Sequence, residues 1–132
     1  MYTNSINMRS IQQLAAIQDE ADAVRYLALV FGRFYSLVSQ REQYRAHART
    51  GFRTVEEVLI DPHELDSKVQ MAENVAINTL KNFNKKAAYN GLDEVLPDLE
   101  NMCRKEIAAC ILIYVQNSVS CSKYASYMKL AG

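Results

Sequence analysis

The chain has 132 residues, of which 49% are hydrophobic and 23% charged, and its 15 basic residues balance 15 acidic ones. This length and composition exclude a largely disordered chain and predict a single domain with its own core. Because the net charge is zero, the chain as a whole is not attracted to nucleic acid or to an anionic membrane. Binding to either would need a local patch of charge.

Cysteine usage and the N-terminal residues both bear on location. The three cysteines form no Cys-x-x-Cys pair, and no basic start followed by an apolar run opens the chain. The most apolar stretch, residues 23–38, contains Arg25 and Arg33 and is too short and too charged to cross a bilayer. These features predict a cytoplasmic protein that does not enter a membrane.

The first half of the chain predicts helices from residue 10 onward. Ser10 begins a Ser-Ile-Gln-Gln capping box that predicts the first helix start. Residues 24–38 carry apolar side chains at alternating spacings of three and four, which predicts an amphipathic helix that Gly51 ends. Whether residues 11–49 form one helix or two stays open, because neither glycine nor proline separates their first part from the rest.

The second half predicts two more long helices. Thr54 begins a second capping box, Asp61-Pro62 predicts the start of the next helix, and Asn90-Gly91 predicts its end. Pro97 then predicts the first turn of a further helix, in which residues 107–115 are nine consecutive apolar residues. Such a helix is expected either at the centre of the bundle or beneath a second subunit. Val119, Tyr124, Tyr127 and Met128 suggest a short tail helix.

The fold class that these elements predict is all-α, a compact bundle of four to six helices. The domain is expected to span residues 1–132, with a loosely ordered segment at 1–9, and to be built around residues 23–38 and 107–115. The apolar run at 107–115 and the absence of net charge together predict a homo-oligomer.

Two basic clusters are candidates for binding nucleic acid or an acidic partner protein. Their residues are Arg41, Arg45, Arg49, Arg53, Lys81, Lys85 and Lys86. Both clusters are predicted to lie towards helix C-termini, where cations are favoured by the helix dipole without any ligand. The favoured interpretation of these residues is therefore structural, with binding as the alternative.

The segment 41–47, from Arg41 to His47, resembles the Arg-x(4–6)-His signature of the HEPN superfamily of small all-α dimers, many of which cleave RNA. The resemblance implies that Arg41 holds a phosphate and that His47 performs acid–base chemistry. The segment departs from the family in having Glu42 after the arginine and in lying in the first half of the chain. On one regular helix the two side chains lie about 120° apart, so their convergence requires a second subunit or a distorted helix.

No other catalytic, metal-binding or cofactor-binding pattern stands out. Tyrosine and methionine suit protein interfaces, and an interface is predicted at five positions near the C-terminus, with closure of the bundle's own core as the equal alternative. These positions are Ile111, Tyr114, Tyr124, Tyr127 and Met128. The sequence thus favours a non-enzymatic interaction protein, a self-associating regulator, adaptor or inhibitor, with a nucleic-acid-binding protein and a HEPN-like ribonuclease as alternatives. In the favoured interpretation His47 is a polar residue on the last turns of a helix and needs no partner.

Overall fold

A computed structural model describes residues 5–17 and 20–118, and in this part of the chain it contains five α-helices and no strand. The helices are α1 (Met8–Ala16), α2 (Ala21–Thr50), α3 (Val55–Val58), α4 (Pro62–Tyr89) and α5 (Arg104–Ser118). A short 3₁₀ helix, Leu99–Asn101, precedes α5. The predicted all-α bundle of four to six helices is therefore confirmed. Within the described residues, no helix is both long enough and apolar enough to cross a membrane.

The first helix starts earlier than its predicted capping box. Asn7 is the N-cap, and its side chain accepts a hydrogen bond from the backbone N–H of Ser10. Ser10 is itself buried, and its hydroxyl donates to the carbonyl oxygen of Asp93 at 2.7 Å. The prediction that Ser10 caps the helix is wrong, because its hydroxyl is used in a contact with a distant part of the chain.

The N-terminal residues described here also contribute to the core. Ile6 is buried, and the backbone N–H of Asn7 donates to the carbonyl oxygen of Val95 at 2.6 Å. Ile6 and Asn7 thus contact the rest of the bundle, and the loosely ordered segment at 1–9 stays a prediction. The first four residues lie outside the described part of the chain.

Residues 11–49 belong to two helices, which settles the point that the sequence left open. Helix α1 ends at Ala16, and Ile17 after it is extended. Helix α2 then runs for 30 residues until Gly51, whose φ of 78° is the left-handed conformation that glycine adopts readily. The predicted stop at Gly51 is confirmed.

The start and end signals of α3 and α4 are confirmed as well. Thr54 and Glu57 form both hydrogen bonds of the predicted capping box. Asp61 caps α4 by accepting from the N–H of His63, and Pro62 is its first residue. The helix ends at Asn90, and Gly91 after it has a φ of 70°.

Pro97 does not begin the last long helix, and that prediction is wrong. It lies in a turn before Asp98, whose φ of 63° interrupts helical geometry, and α5 begins only at Arg104. The turn exists because Val95 and Leu96 are drawn into the core, where the Asn84 amide forms hydrogen bonds with both the N–H and the carbonyl oxygen of Leu96.

The two long helices, α2 and α4, form the centre of the bundle and are antiparallel. The direction follows from ion pairs at both ends: Arg45 near the C-terminus of α2 contacts Asp66 near the start of α4, and Glu20 before α2 contacts Lys86 near the end of α4. Helix α1 packs on α2, and α5 packs on both long helices. The fully buried Phe31 and Leu80 of α2 and α4 lie in this core.

Helix α5 buries one side rather than its whole circumference. Ile107, Ile111 and Val115 are buried, whereas Ile113 is 55% exposed. The prediction of a helix buried on all sides is therefore wrong within this chain, and the possibility that a second subunit covers it stays a prediction. The predicted tail helix lies outside the described residues.

Candidate protein-interaction surface

The arginine ridge at the end of α2 is largely engaged by the protein's own side chains. Arg41 and Arg45 both contact the carboxylate of Asp66, at 3.7 Å and 3.3 Å. Arg53 lies over the ring of Tyr44, with its guanidinium carbon 5.0 Å from the ring centroid. Only Arg49 of the four has neither an ion pair nor a ring contact among the described residues. Asp66 is the one carboxylate that these ion pairs supply to the four arginines, so the ridge is partly compensated but keeps an excess of positive charge.

The predicted lysine cluster is less compensated than the arginine ridge. Lys86 is held by Glu20 at 2.8 Å. Lys81 and Lys85 are exposed, and they line one side of a depression of about 490 Å³ whose other side carries Glu94 and Glu100. Two lysines facing two carboxylates form a mixed-charge surface rather than a uniformly basic one.

The two residues of the HEPN-like segment are directed to different partners. Arg41 contacts Asp66 of α4. His47 instead contacts Glu57 of α3, with its Nδ1 atom 2.7 Å and 2.9 Å from the two carboxylate oxygens. The described chain does not bring Arg41 and His47 together. His47 also has a close partner, so the expectation that it needs none is wrong.

Glu57 fixes α3 in place from two directions. Its carboxylate accepts a hydrogen bond from the backbone N–H of Thr54 at 2.9 Å and contacts His47 on α2. Two contacts hold the pKa of Glu57 below its ordinary value, because both favour the ionised carboxylate. The hydrogen bond from the Thr54 backbone N–H has the larger effect, and the contact with His47 has the next largest. This buried carboxylate ties the short helix to the end of α2.

Around this fixed helix, large apolar side chains face solvent. Phe52, Val55, Val58 and Leu59 are between 65% and 84% exposed, and we call these four residues the apolar tip. The tip was not predicted from the sequence. Its signal is that four large apolar residues occur within eight positions between Gly51, which ends α2, and Asp61, which caps α4, in a segment too short to build an amphipathic face.

A groove runs from the apolar tip along the seam between α2 and α4. One depression of about 390 Å³ is mainly polar. It is lined by four apolar residues, Leu37, Leu59, Ile60 and Leu65, and by five polar or charged ones, Arg33, Gln40, Asp61, Glu64 and Lys68. A second, of about 270 Å³, is lined by apolar residues further along the two helices: Val30, Met71, Ala72 and Val75. Arg33 and Lys68 line both depressions, so the two adjoin. We call the combined feature the α2/α4 groove.

The interface predicted near the C-terminus is only partly described. Ile111 is fully buried in the chain's own core, and Tyr114 packs edge-on against Phe31 with 6.0 Å between ring centroids. For these two residues, closure of the core is the role that the structure shows. Tyr124, Tyr127 and Met128 lie outside the described residues.

No group of three or more histidine, cysteine or acidic side chains in the described part of the chain is placed to hold a metal ion. Comparison of the chain with protein-family models, with curated proteins and with solved structures finds no match.

Proposed function

We propose that this chain is a non-enzymatic helical interaction protein that binds a partner protein through its apolar tip. The observation that carries the proposal is the exposure of four large apolar side chains on one short, firmly capped helix and its flanks. Exposed large apolar residues clustered in this way are typical of sites of protein association.

The tip can supply substantial binding energy. Full burial of each such side chain contributes about 1.5–3 kcal/mol, and a few clustered anchors commonly dominate the affinity of an interface. The capping box and the Glu57–His47 contact hold the backbone of the tip in advance. Binding would then cost little conformational entropy, because the segment is already ordered.

The charges favour a protein over a nucleic acid as the partner. Arg41, Arg45 and Lys86, three of the seven predicted phosphate-binding cations, form ion pairs with Asp66 or Glu20. A phosphate backbone would have to displace these carboxylates, which lowers the electrostatic gain.

Site-specific photo-crosslinking in cells tests the proposal. A photoreactive amino acid at position 59, in the tip, is expected to capture a discrete partner. The same amino acid at position 82, an exposed site on α4, serves as the control. Introducing Phe52→Ser and Val55→Ser into the crosslinking protein is expected to abolish the product. Equal products from positions 59 and 82, or a product that persists in the double variant, would contradict the proposal.

Self-association forms a separate part of the proposal. It is supported by Ile113, which leaves an apolar side chain exposed on the otherwise core-forming α5. A dimer or higher oligomer is expected at micromolar concentration, and Ile113→Lys is expected to dissociate it. Light scattering that shows only the 15.0 kDa monomer at high concentration would contradict self-association while leaving partner binding untouched.

A further inference from the structure

The α2/α4 groove lies on a face of the helix pair that no described element covers. Helix α5 packs against α4 on another side, where Asn74, Ile77 and Lys81 meet Met102 and Ile107. On the groove side, by contrast, Met71 is 67% exposed and Val75 is 43% exposed. In this half of the groove the two antiparallel helices present an apolar surface of the kind against which a third helix packs in bundles.

The charges in this groove are unevenly placed. In the half lined by Val30, Met71 and Val75, the charged side chains are Arg33 and Lys68, and both are basic. Lys68 makes an exposed contact of 3.5 Å with Glu64. Arg33 has no acidic partner among the described residues. The acidic residues Asp61 and Glu64 line only the other half, nearer the tip.

We propose that the groove binds an amphipathic helix of a partner protein that carries an apolar anchor towards one end and acidic side chains at its centre. The carboxylates would meet Arg33 and Lys68, where the two depressions adjoin. The anchor would enter the depression at Met71 and Val75, and polar side chains at the other end of the helix would meet Gln40 in the depression nearer the tip. This inference rests on the proposed function and specifies the chemistry of the partner.

The length of the groove sets the length of the bound helix. From Asp61 to Val75 the groove follows 14 residues of α4, which at 1.5 Å per residue is about 21 Å. A partner helix of about four turns fills this distance. Recognition of an apolar helical face by a groove between helices is a common mode of peptide binding.

A second copy of this chain fits the groove less well than an acidic helix. In a twofold-symmetric contact between two such grooves, Arg33 and Lys68 of one protomer would face the same two residues of the other. Juxtaposed like charges oppose association, so the groove favours a partner that brings the opposite charge.

Selection from a peptide library tests the inference. The library displays 18-residue helical peptides with fixed apolar stripes and randomised central positions, and the full chain is the bait. Enrichment of Asp and Glu at the central positions is expected. The double variant Arg33→Glu with Lys68→Glu should instead enrich Lys and Arg, and both replaced side chains are exposed, so the fold should persist. For one matched pair of selected peptides, the preference for acid over base should be at least about tenfold and should invert in the variant.

Several results would overturn the inference. They are a failure to enrich any helical peptide, enrichment without charge preference, and a preference that the double variant does not change. A dimer that Met71→Glu dissociates would also overturn it, because the groove would then hold a second copy. Crosslinking from position 59 decides the proposed function separately, since the tip could bind a partner that lacks an acidic helix.

Discussion

Two connections between helices contain similar numbers of large apolar residues, but one connection exposes them to solvent and the other buries them. Residues 51–61 join α2 to α4 and leave Phe52, Val55 and Leu59 in solvent. Residues 90–103 join α4 to α5 and bury Val95 and Leu96 completely. Both connections are ordered, so the difference lies in where their polar groups find hydrogen-bond partners.

In residues 90–103, the polar backbone is bonded to distant elements. Asn7 reaches Val95, Ser10 reaches Asp93, and Asn84 holds both backbone groups of Leu96. These bonds allow the connection to enter the core, because buried backbone groups must be satisfied. In residues 51–61 the bonds of Thr54 and Glu57 are local, apart from the contact with His47. The connection therefore stays outside, and its apolar residues remain available to a partner.

The greatest difference in stability is expected between two variants that each replace one leucine by alanine, one in each connection. Leu96 is fully buried, and Leu96→Ala is expected to lower the free energy of unfolding by about 2–5 kcal/mol through lost burial and the cavity that remains. Leu59→Ala removes the same atoms from the tip and is expected to change it by no more than about 0.5 kcal/mol. Urea unfolding of the two variants measures both. Equal losses would break the distinction between the two connections.

Removing the Asn84 amide is expected to cause the next largest loss of stability. Asn84→Ala leaves the buried N–H and carbonyl of Leu96 without their partner, which is expected to cost about 2–4 kcal/mol. Asn82→Ala, at an exposed position of the same helix, is the control and should change stability by less than about 0.5 kcal/mol. If the two variants unfold at the same urea concentration, the amide does not hold this connection in the core.

The connection formed by residues 51–61 can be tested by lowering the pH. The pKa of Glu57 is lower in the folded chain than in the unfolded chain, so at pH values between the two the unfolded chain binds more protons. The stabilisation by Glu57 is therefore complete above the ordinary carboxyl pKa of about 4.3 and is lost as the pH falls through the lower, folded value. The difference in unfolding free energy between the natural chain and Glu57→Gln should shrink on acidification.

His47→Ala refines this measurement. It should retain the larger part of the acid dependence, because the Thr54 hydrogen bond is the first cause of the lowered pKa and His47 the second. Curves for the natural chain and Glu57→Gln that stay parallel to about pH 3 would show that the carboxylate does not anchor α3 in this way.

The smallest effect is expected on the affinity of the chain for nucleic acid. Because Asp66 lies against Arg41 and Arg45 and would have to be displaced by a phosphate, replacing Arg41, Arg45 and Arg49 by alanine should change DNA or RNA affinity at low salt by less than about threefold. Fluorescence anisotropy at several salt concentrations checks this, with Asp66→Asn as the variant expected to increase binding. Tight binding with a steep salt dependence that the triple variant removes would favour the nucleic-acid alternative.

Much of the fold could be predicted because its signals are local. The caps at Thr54 and Asp61 and the stops at Gly51 and Asn90 depend on residues within one turn, so the sequence displays them directly. The errors fall where distant contacts decide. Ser10 bonds to Asp93 instead of capping α1, and Pro97 lies in a turn that the Asn84–Leu96 contact positions.

The candidate site was harder to predict than the fold. A run of arginines is visible in the sequence, but the contact of Arg41 and Arg45 with Asp66, 21 residues beyond Arg45, is not. The four apolar residues of the tip are close together in the sequence, but the sequence does not show whether the core buries them. Only the geometry shows that α3 is fixed by its polar residues and turns its apolar ones outwards.

Binding through the tip is tested by the affinity of a tip variant for the partner captured at position 59, measured together with the stability of the variant. We expect Phe52→Ser with Leu59→Ser to weaken binding by about a hundredfold or more while the urea midpoint stays unchanged. Tyr89→Ser, at an equally exposed aromatic residue at the end of α4, should change neither quantity. Undiminished affinity of the double variant would contradict the claim that the apolar tip is the binding site.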